Sequence, residues 1–521
     1  MEPILIAGSW RAAEAVDTYR AVDPSTGSPR EAIWPVSGWS DVEAALDAAS
    51  AAASELRATP PERFAAFLSR YADRLAAIAE SLVAAAHAET GLAVKPRLAE
   101  VELPRMLDQL RQAATAAEEQ TWRMAMIDSN RNIRSMATGL GPVVVFPPAN
   151  FPFAYGGVTG GDFAAAIAAG NPVIAKAHPG HPLVSRLAAE EALAALQDVG
   201  LPLATVQLLH GIAAADGERL VADPRVGATG FTGSQEAGKR LFAAASAAGR
   251  VIWVEMGSIN PIVLLPGALS ERGDEIAGEL TASVTGSAGQ FCTKPGAVFL
   301  VDDAAGETFV KALASRFAAT KPQVLLGPTG RDRLVAAIER LSQAGAGLVA
   351  RGSGAEAGPC GHPPTLLAVA ASEVLARPDR LLVEAFGNAT LLVRCRSLDE
   401  LACAVACVHG SLGASLYMAK DGRDASAFAA IAPLVVERSG RIIENRMPTG
   451  LAVTPPMQHG GPWPSAGPPF FSAVGMPWSL LRFARRVCFD GWSQQNLPEM
   501  LRDAPPACRP WRYVDGGWTR G

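Results

Sequence analysis

The sequence has little basic charge and lacks the cysteine spacings of a metal centre. Its 51 acidic residues outnumber 46 lysines and arginines, giving a formal charge of −5. Because this balance provides no positive field for phosphates, we expect no nucleic-acid partner. The seven cysteines are odd in number and do not form the paired spacings of a zinc site. They indicate a reduced, cytoplasmic chain that holds no structural metal.

Uninterrupted hydrophobic runs are also missing. Residues 135–175 carry one charge, Asp162, but five prolines interrupt them, so we expect no membrane span. The first residues have no basic segment before an apolar run, and a signal peptide is not predicted. With 521 residues and 49% hydrophobic content, the chain is long enough for two or three globular domains.

Strand-like and helix-like segments alternate in the first half. The predicted strands are 143–146, 172–177, 205–209, 227–231 and 251–255, and the predicted helices between them are 162–169, 183–197 and 235–248. Such alternation predicts an α/β fold with a doubly wound parallel sheet, which binds ligands at the carboxyl ends of its strands. A second α/β stretch runs from about 260 to 453.

Two further segments flank this pattern. Residues 59–62 (Thr-Pro-Pro-Glu) have the form of a capping box that opens one helical run to Gly91. Residues 121–139 lack helical periodicity and predict a hairpin, and the Pro- and Gly-rich tail contains one predicted strand at 484–490.

Three short motifs contain side chains that are able to take part in catalysis. Cys292 lies in the Gly-rich stretch 286–293, Glu255 ends an apolar strand, and Asn150 follows another strand within Pro-Pro-Ala-Asn-Phe-Pro. A cysteine, a carboxylate and an amide suit a thiol nucleophile, its base and an oxyanion donor. Taken singly, each has an ordinary structural explanation as a buried thiol, a strand cap or a turn residue.

The usual GxGxxG dinucleotide fingerprint is absent from the required strand-to-helix context. Instead, Gly233 and Ser234 end one predicted strand and begin a helix, where free amides and the helix dipole suit a pyrophosphate. Lys176 ends another strand and is placed to reach a ribose or phosphate. An ordinary capped helix and a solvated lysine would explain the same two features without a cofactor.

Together, in this order, these motifs resemble those of the aldehyde dehydrogenase superfamily, from residues 21–27 to the tail. The resemblance implies an aldehyde dehydrogenase fold and a homodimer or dimer of dimers. It implies a discontinuous, Rossmann-like cofactor domain at 1–118 and 141–258, a catalytic domain at 259–453, and a β oligomerisation element at 119–140 and 454–521.

By the same resemblance, Cys292 is the nucleophile, Glu255 the base that hydrolyses the thioester, and Asn150 an oxyanion donor. Residues 382–387 are similar to the family's EIFGP element, in which Glu384 holds the nicotinamide ribose and Phe386 packs on the ring. Here Asn388 replaces the usual proline.

The cofactor preference follows from one position. Many NAD-preferring members have a glutamate three residues after the strand-end lysine, where this chain has Pro179. Loss of that carboxylate removes repulsion of a 2′-phosphate, leaving Lys176 and His178 to attract it, so the sequence favours NADP over NAD. His178 could equally serve as a strand cap.

The stretches around Lys176, Cys292 and His459 resemble an NADP-dependent branch that contains α-ketoglutaric semialdehyde (2,5-dioxovalerate) dehydrogenases and bacterial long-chain fatty aldehyde dehydrogenases. His459 either reaches the active site or is a satisfied loop histidine. Residues 463–472 carry no charge, which favours medium- or long-chain or aromatic aldehydes if they line the entrance. Two competing hypotheses are an enzyme that transfers the acyl group to CoA or phosphate and a catalytically silent scaffold with this fold.

Overall fold

Two large β-sheets organise the chain, whose computed structural model describes residues 1–355 and 357–520. The first sheet has eight strands, in the spatial order Ser9–Arg11, Ile4–Ile6, Val206–Leu209, Val173–Lys176, Val143–Phe146, Ala228–Gly233, Val251–Met256 and Ala466–Gly467. The five strands between Val206–Leu209 and Val251–Met256 are parallel, whereas the flanking pairs are antiparallel. The predicted doubly wound sheet is confirmed.

The strand order reverses beside Val143–Phe146. From this strand the chain first builds the sheet in one direction, and it then returns to add Ala228–Gly233 on the other side. Helices cover the faces of the sheet, and Gly161–Ala168 is buried along its whole length. The reversal opens a crevice at the carboxyl ends of these strands, which is where such sheets bind ligands.

The second sheet has seven strands and lies in the following part of the chain. Their order is Gly347–Arg351, Thr365–Ala370, Ala389–Cys395, Ala297–Val301, Ile262–Leu264, Ser411–Tyr417 and Ser439–Glu444. All neighbours are parallel except the first pair. The inner strand Ile262–Leu264 is fully apolar and buried, as expected for a parallel sheet covered on both faces.

A five-stranded sheet contains the predicted hairpin. Its order is Ala484–Asp490, Ile133–Gly139, Ala125–Asp128, Trp511–Val514 and Gly517–Arg520. The hairpin and the strand at 484–490 are both confirmed, and the last two strands were not predicted. Smaller sheets pair Gly211–Ile212, Trp34–Ser37 and Ala15–Tyr19, and pair Gln323–Val324 with Gly361–His362.

Helices occupy the rest of the regular structure. The α-helices are Trp39–Leu56, Pro61–Ala77, Ala79–Thr90, Leu103–Glu119, Gly161–Ala168, Pro182–Val199, Ala214–Ala222, Gln235–Ala247, Pro266–Thr285, Ala304–Ala319, Pro328–Gln343, Ala371–Ala376, Pro378–Leu381, Leu398–Ala406 and Ala425–Val436. Val94–Glu102 forms a π-helix. Short 3-10 turns are Thr121–Arg123, Leu203–Thr205, Gly286–Gly289, Trp478–Phe483, Gln494–Asn496 and Glu499–Leu501.

The predicted capping box at 59–62 is wrong. The helix begins at Pro61 with Pro60 as its N-cap, which has no side-chain hydrogen bond to offer. Thr59 instead donates its hydroxyl to the Glu55 carbonyl at the end of the preceding helix. The single run to Gly91 is also interrupted, because Ile78 leaves helical geometry.

Within the described residues, no helix is both long and apolar enough to cross a membrane. The apolar stretch 135–175 folds instead as short strands, loop and the helix Gly161–Ala168. Burial inside the protein therefore accounts for its hydrophobic composition.

Candidate functional site

Asn150, Glu255 and Cys292 come together at the carboxyl edge of the first sheet. Asn150 follows the strand Val143–Phe146, and Glu255 lies at the end of Val251–Met256. Both of these residues and Cys292 line one cavity of about 1870 Å³. This volume exceeds the roughly 300–1,000 Å³ of typical small-molecule sites, so the cavity can take a dinucleotide together with a substrate.

The backbone before Cys292 has an unusual conformation. Ser287, Ala288 and Gly289 have φ values of 48°, 56° and 68°, in the left-handed region. Non-glycine residues adopt this region at a cost, so the surrounding structure must hold the turn in place. A Cβ at Gly289 would lie 2.3 Å from the carbonyl oxygen of Gly387, and glycine is therefore required where the two loops meet.

Two asparagines hold the loop that contains Cys292. Asn150 donates from Nδ2 to the Gln290 carbonyl at 3.0 Å, which directs its amide to the segment containing Cys292. Asn260 donates from Nδ2 to the carbonyls of Cys292 at 2.8 Å and Lys294 at 3.0 Å. Because each amide nitrogen carries two hydrogens, Asn150 retains a second N–H that this hydrogen bond does not use.

His459 lies between the cysteine and the carboxylate. Its Nε2 is 3.2 Å from Cys292 Sγ and 3.0 Å from Glu255 Oε1, and its side chain is completely buried. Its backbone N–H donates to Ser472 Oγ at 3.0 Å, which fixes the loop that carries the ring. The structure thus places His459 beside Cys292 and Glu255, and its part in the reaction stays a prediction.

Electrostatics favour a charged imidazole at this position. Burial alone would lower the pKa of His459, but Glu255 and Cys292 oppose that effect and raise the pKa to about 10. A proton on Nε2 points at only one of the two neighbouring acceptors at a time. The imidazolium therefore stabilises negative charge on either Sγ or the carboxylate.

The same three side chains are close enough to bind a metal ion. Ligand atoms from Glu255, Cys292 and His459 all lie within 4.8 Å of one another. We assign no metal to the cluster because His459 Nε2 already lies at hydrogen-bond distance from Cys292 Sγ and at ion-pair distance from Glu255 Oε1. The expectation of a metal-free protein remains a prediction.

Lys176 and His178 line the far part of the cavity. The Lys176 ammonium makes no ion pair or hydrogen bond within the described parts of the chain, and burial lowers its pKa to about 8. His178 accepts a hydrogen bond from the Gly180 N–H at 3.0 Å and stacks on His181. Burial, followed by the effects of His181 and Lys176, lowers the pKa of His178 well below 6.5, so this imidazole is neutral.

Gly233 and Ser234 line the same cavity at a helix start. Ser234 is the N-cap of Gln235–Ala247, and its Oγ accepts a hydrogen bond from the Ala237 N–H at 3.4 Å. Ser234 therefore does cap this helix, and the first turn still presents other backbone N–H groups towards the crevice. Both functions are compatible because the cap uses only one of those donors.

Glu384 and Phe386 reach the cavity from the second sheet. A Cβ at Gly257 would lie 1.8 Å from Glu384 Oε2, so the carboxylate occupies space that only glycine leaves open. Burial raises the pKa of Glu384 to about 7, while Lys294 opposes this effect. The unusual Asn388 is buried, and its Oδ1 lies within hydrogen-bond distance of His362 Nδ1, at 2.9 Å.

Lys294 connects the loop that contains Cys292 to the segment that contains Phe386. Its buried Nζ donates to the carbonyls of Ala385 at 2.9 Å and Ala389 at 2.7 Å, on either side of Phe386. Neither Lys294 nor Asn260 was assigned a role from the sequence. Each is a polar side chain inside a Gly- and Pro-rich motif, which is the feature that marks them in the sequence. Such a motif does not show which distant carbonyls the side chain binds.

The charge-free stretch 463–472 lies partly at the surface. Phe470 is 76% exposed, which rules out packing in the core of its own subunit. Phe471 is partly buried with its ring 6.3 Å from that of Trp253. Ser472 holds the backbone of His459, so the end of this stretch supports the active site directly.

Comparison with known sequences identifies relatives along nearly the whole chain. The model of the aldehyde dehydrogenase family matches residues 10–462. Alpha-ketoglutaric semialdehyde dehydrogenase 2 of Azospirillum brasilense is 38% identical, and the match covers 98% of each chain. Alpha-ketoglutaric semialdehyde dehydrogenase of Acinetobacter baylyi is 31% identical, with 95% of each chain covered.

Solved structures have the same fold. Aldehyde dehydrogenase C of Pseudomonas syringae, determined with NAD+ and octanal, superposes with a TM-score of 0.80. The sequences are 22% identical, and the match covers 95% of this chain and 98% of that one. At this identity, the likeness concerns the fold alone.

Proposed function

The chain belongs to the aldehyde dehydrogenase family, and on that premise we propose that it oxidises 2,5-dioxovalerate (α-ketoglutaric semialdehyde) to the acid with NADP+. The observation that carries the proposal is the contact of His459 with both Cys292 and Glu255. It brings a thiol, a cation and a carboxylate together at the edge of the cavity.

Cys292 is the proposed nucleophile. The imidazolium of His459 stabilises a thiolate at Sγ, which attacks the aldehyde carbon and gives a thiohemiacetal. The second N–H of Asn150 Nδ2 and the backbone N–H of Cys292 are the proposed donors to the resulting oxyanion. Each such donor contributes about 3–4 kcal/mol in comparable sites.

A nicotinamide dinucleotide fits the residues that line the cavity. Lys176 supplies a cation without a protein partner, Ser234 a helix start for phosphates, and Glu384 a carboxylate suited to ribose hydroxyls. When bound, this cofactor supplies the hydride acceptor. We assign its nicotinamide end to Glu384 and Phe386 and its adenosine end to Lys176, with Gly233 and Ser234 between them.

Glu255 is the proposed base for hydrolysis of the thioester on Cys292. Its carboxylate lies beside the thiol and takes a proton from water, which then releases the acid. A base in this position favours water over CoA or phosphate as the group that resolves the thioester. It also argues against a catalytically silent scaffold.

The preference for NADP+ is supported by the absence of a carboxylate at Pro179, which lines the cavity near Lys176. The cationic side chain of Lys176 attracts a 2′-phosphate, whereas neutral His178 offers a hydrogen bond without a charge. NAD+ remains the second candidate cofactor.

The semialdehyde assignment is supported by the two relatives that carry this activity in their names. Medium- or long-chain or aromatic aldehydes form the second candidate class, favoured by the exposed Phe470 and the lack of charge at 463–472. Each buried methylene contributes about 0.8 kcal/mol, so chain length is a direct test.

Initial rates of NAD(P)H formation, without CoA or phosphate, test the proposal. We expect kcat/KM to be higher with NADP+ than with NAD+, and higher for 2,5-dioxovalerate than for straight-chain aldehydes. Preference for NAD+ would refute the cofactor proposal. A steady rise of kcat/KM with aldehyde length, exceeding the value for the semialdehyde, would support the second candidate class instead.

We also propose a homodimer or a dimer of dimers. The strand Ala484–Asp490 has a sheet neighbour on one side only among the described strands, so its other edge is open to pairing. Light scattering coupled to gel filtration tests the assembly. A monomer at assay concentrations would contradict it.

A further inference from the structure

An aromatic cluster adjoins the nucleophile. Phe151, next to Asn150, has its ring 5.4 Å from that of Tyr155 and 5.8 Å from that of Phe291, next to Cys292. Tyr155 also meets the ring of His459 at 6.4 Å, edge to face. The cluster therefore forms an apolar wall beside the reacting thiol.

Two arginines pack on this wall, and only one of them is paired with a carboxylate. The guanidinium of Arg97 lies 4.4 Å from the Phe151 ring centre, forms an ion pair with Glu102 and donates to the Asn150 carbonyl at 2.8 Å. Its charge is thus balanced inside the protein. Arg97 is part of the scaffold that holds Asn150 in place.

Arg105 has no such balance. No carboxylate lies within 4.0 Å of its guanidinium in the described part of the chain. Its hydrogen-bond acceptors are neutral: Gln109 Oε1 accepts from Nε at 3.0 Å, and the Tyr155 hydroxyl accepts from Nη2 at 3.3 Å. A partly buried cation with neutral neighbours gains energy when an anion arrives.

The guanidinium is also held in a defined orientation. Its centre lies 5.2 Å from the Tyr155 ring centre and 5.6 Å from that of Phe151. Nη1 has no hydrogen-bond partner in the described structure, so the fork keeps a free donor. A planar fork of this kind matches a carboxylate better than an ammonium does.

Tyr155 joins this cation to the reacting group. Burial, then Glu255, raises the pKa of Tyr155 well above 10; Cys292 adds to the effect and Arg105 opposes it. The hydroxyl therefore stays neutral and accepts from Arg105. Arg105 is thus linked to Cys292 through two side chains, since Tyr155 meets the ring of His459 and His459 Nε2 lies 3.2 Å from Cys292 Sγ.

Building on the proposed function, we propose that Arg105 binds the carboxylate of a short semialdehyde, while Phe151 and Tyr155 enclose the chain between that carboxylate and Cys292. The aldehyde and the acid stand at opposite ends of such a molecule. This site accounts for recognition of an anionic substrate although residues 463–472 carry no charge. An uncharged aldehyde would occupy the same wall without gaining the ionic contact.

The test compares two substrates that have five carbons each, 2,5-dioxovalerate and pentanal, in wild type, Arg105→Met and Arg105→Lys. For Arg105→Met we expect kcat/KM for the semialdehyde to fall by roughly 10- to 100-fold, mainly through KM, because one charge-assisted contact is lost. The value for pentanal should stay within about twofold, and Arg105→Lys should restore part of the loss.

Arg111→Met is the matched control. Arg111 lies on the same helix but is exposed and pairs with Asp73 at 3.1 Å, away from the aromatic wall. It should leave both substrates unchanged. Equal losses for the semialdehyde and pentanal in Arg105→Met would indicate a structural role for Arg105 and overturn the proposal, as would an unchanged preference for the semialdehyde.

Binding of glutarate by calorimetry separates this proposal from the proposed function. If wild type does not favour the semialdehyde, the substrate assignment is wrong, but the carboxylate site is still tested. Glutarate binding that weakens by about tenfold or more in Arg105→Met, and not in Arg111→Met, supports the site. Equal affinity in all three proteins, or no binding to wild type, overturns it.

Discussion

Replacement of His459 by phenylalanine should slow the chemistry of Cys292 in the free enzyme. Raising an imidazole pKa from 6.5 to about 10 corresponds to about 5 kcal/mol of net stabilisation of the imidazolium after the opposing effect of burial, since each pKa step of one is about 1.4 kcal/mol. Coulomb's law gives a similar value of about 5 kcal/mol for unit charges at the Nε2 to Sγ distance of 3.2 Å, with an effective dielectric constant of about 20.

Cys292 shares this interaction with Glu255. If about 2 kcal/mol of it acts on the thiolate, its loss corresponds to a roughly 30-fold slower alkylation by iodoacetamide at pH 7. The peptide containing Cys292 can be followed by mass spectrometry. Cys403, which is exposed and far along the chain, provides an internal reference that should react equally in both proteins.

The pH profile gives the sign of the effect. The imidazolium is present below its pKa of about 10, whereas an unassisted thiol ionises at about pH 8.5. The advantage of wild type should therefore be largest at pH 7 or below and should shrink as the pH passes about 8.5, where the thiol of His459→Phe ionises without help. In His459→Phe, reactivity should rise steadily with pH, as for an unassisted thiol. Equal alkylation rates at pH 7 would mean that the proton on Nε2 serves only Glu255, and the charge argument for Cys292 would be refuted.

Four further changes address the mechanism, the cofactor and the stability. Cys292→Ala should abolish aldehyde oxidation, measured by NADPH formation, while NADP+ affinity measured by fluorescence stays nearly unchanged, because the proposed cofactor contacts lie elsewhere. Glu255→Gln should give a stoichiometric burst of NADPH in stopped-flow experiments and then little turnover, because only deacylation needs the base. Pro179→Glu should lower the ratio of kcat/KM for NADP+ over NAD+ by about tenfold or more through repulsion of the 2′-phosphate. Wild type should lose up to about 3 kcal/mol of stability as the pH rises from 4.5 to 7, because burial raises the folded pKa of Glu89 to about 7. Glu89→Gln should abolish this loss, and urea midpoints measured across the same pH range test it.

Each of these outcomes has a clear opposite. Substantial turnover by Cys292→Ala would remove the covalent mechanism, and loss of the burst in Glu255→Gln would mean that this carboxylate also activates the thiol. An unchanged cofactor ratio in Pro179→Glu would locate the 2′-phosphate away from that loop. For Glu89 the unfolded carboxyl ionises first, so wild type should lose stability as pH rises towards 7; equal pH slopes in both proteins would contradict the raised pKa.

The sequence alone was enough to determine the parallel sheet and to single out three candidate residues that the fold brings to one cavity. Apolar segments such as Val143–Phe146 alternate with helices. Because this pattern is local, it can be recognised in the sequence without knowledge of the fold. Once a parallel sheet is inferred, its geometry requires residues after neighbouring strands to meet at one edge. Asn150 and Glu255 were singled out as polar residues after strands and Cys292 as a thiol in a Gly-rich stretch, and the resemblance to aldehyde dehydrogenases supplied their expected roles; all three line one cavity.

The sequence was less informative where local signals were weak. The strand Ala466–Gly467 has two residues in a Pro- and Gly-rich segment, yet it pairs with Val251–Met256 and closes the first sheet. The helix Ala214–Ala222 was missed between two recognised strands. The predicted cap at Thr59 failed because the prolines that follow it moved the helix start by one residue.

Only the tertiary structure decided how the polar side chains pair. His459 meets Cys292 across 167 positions, and Lys294 binds carbonyls 91 and 95 positions away. Arg97 and Arg105 lie eight residues apart on neighbouring helical segments, but one is neutralised by Glu102 and the other has only neutral acceptors. Periodicity reports which face of an element is buried, whereas the charge state of a buried group depends on the partners that distant segments bring to it.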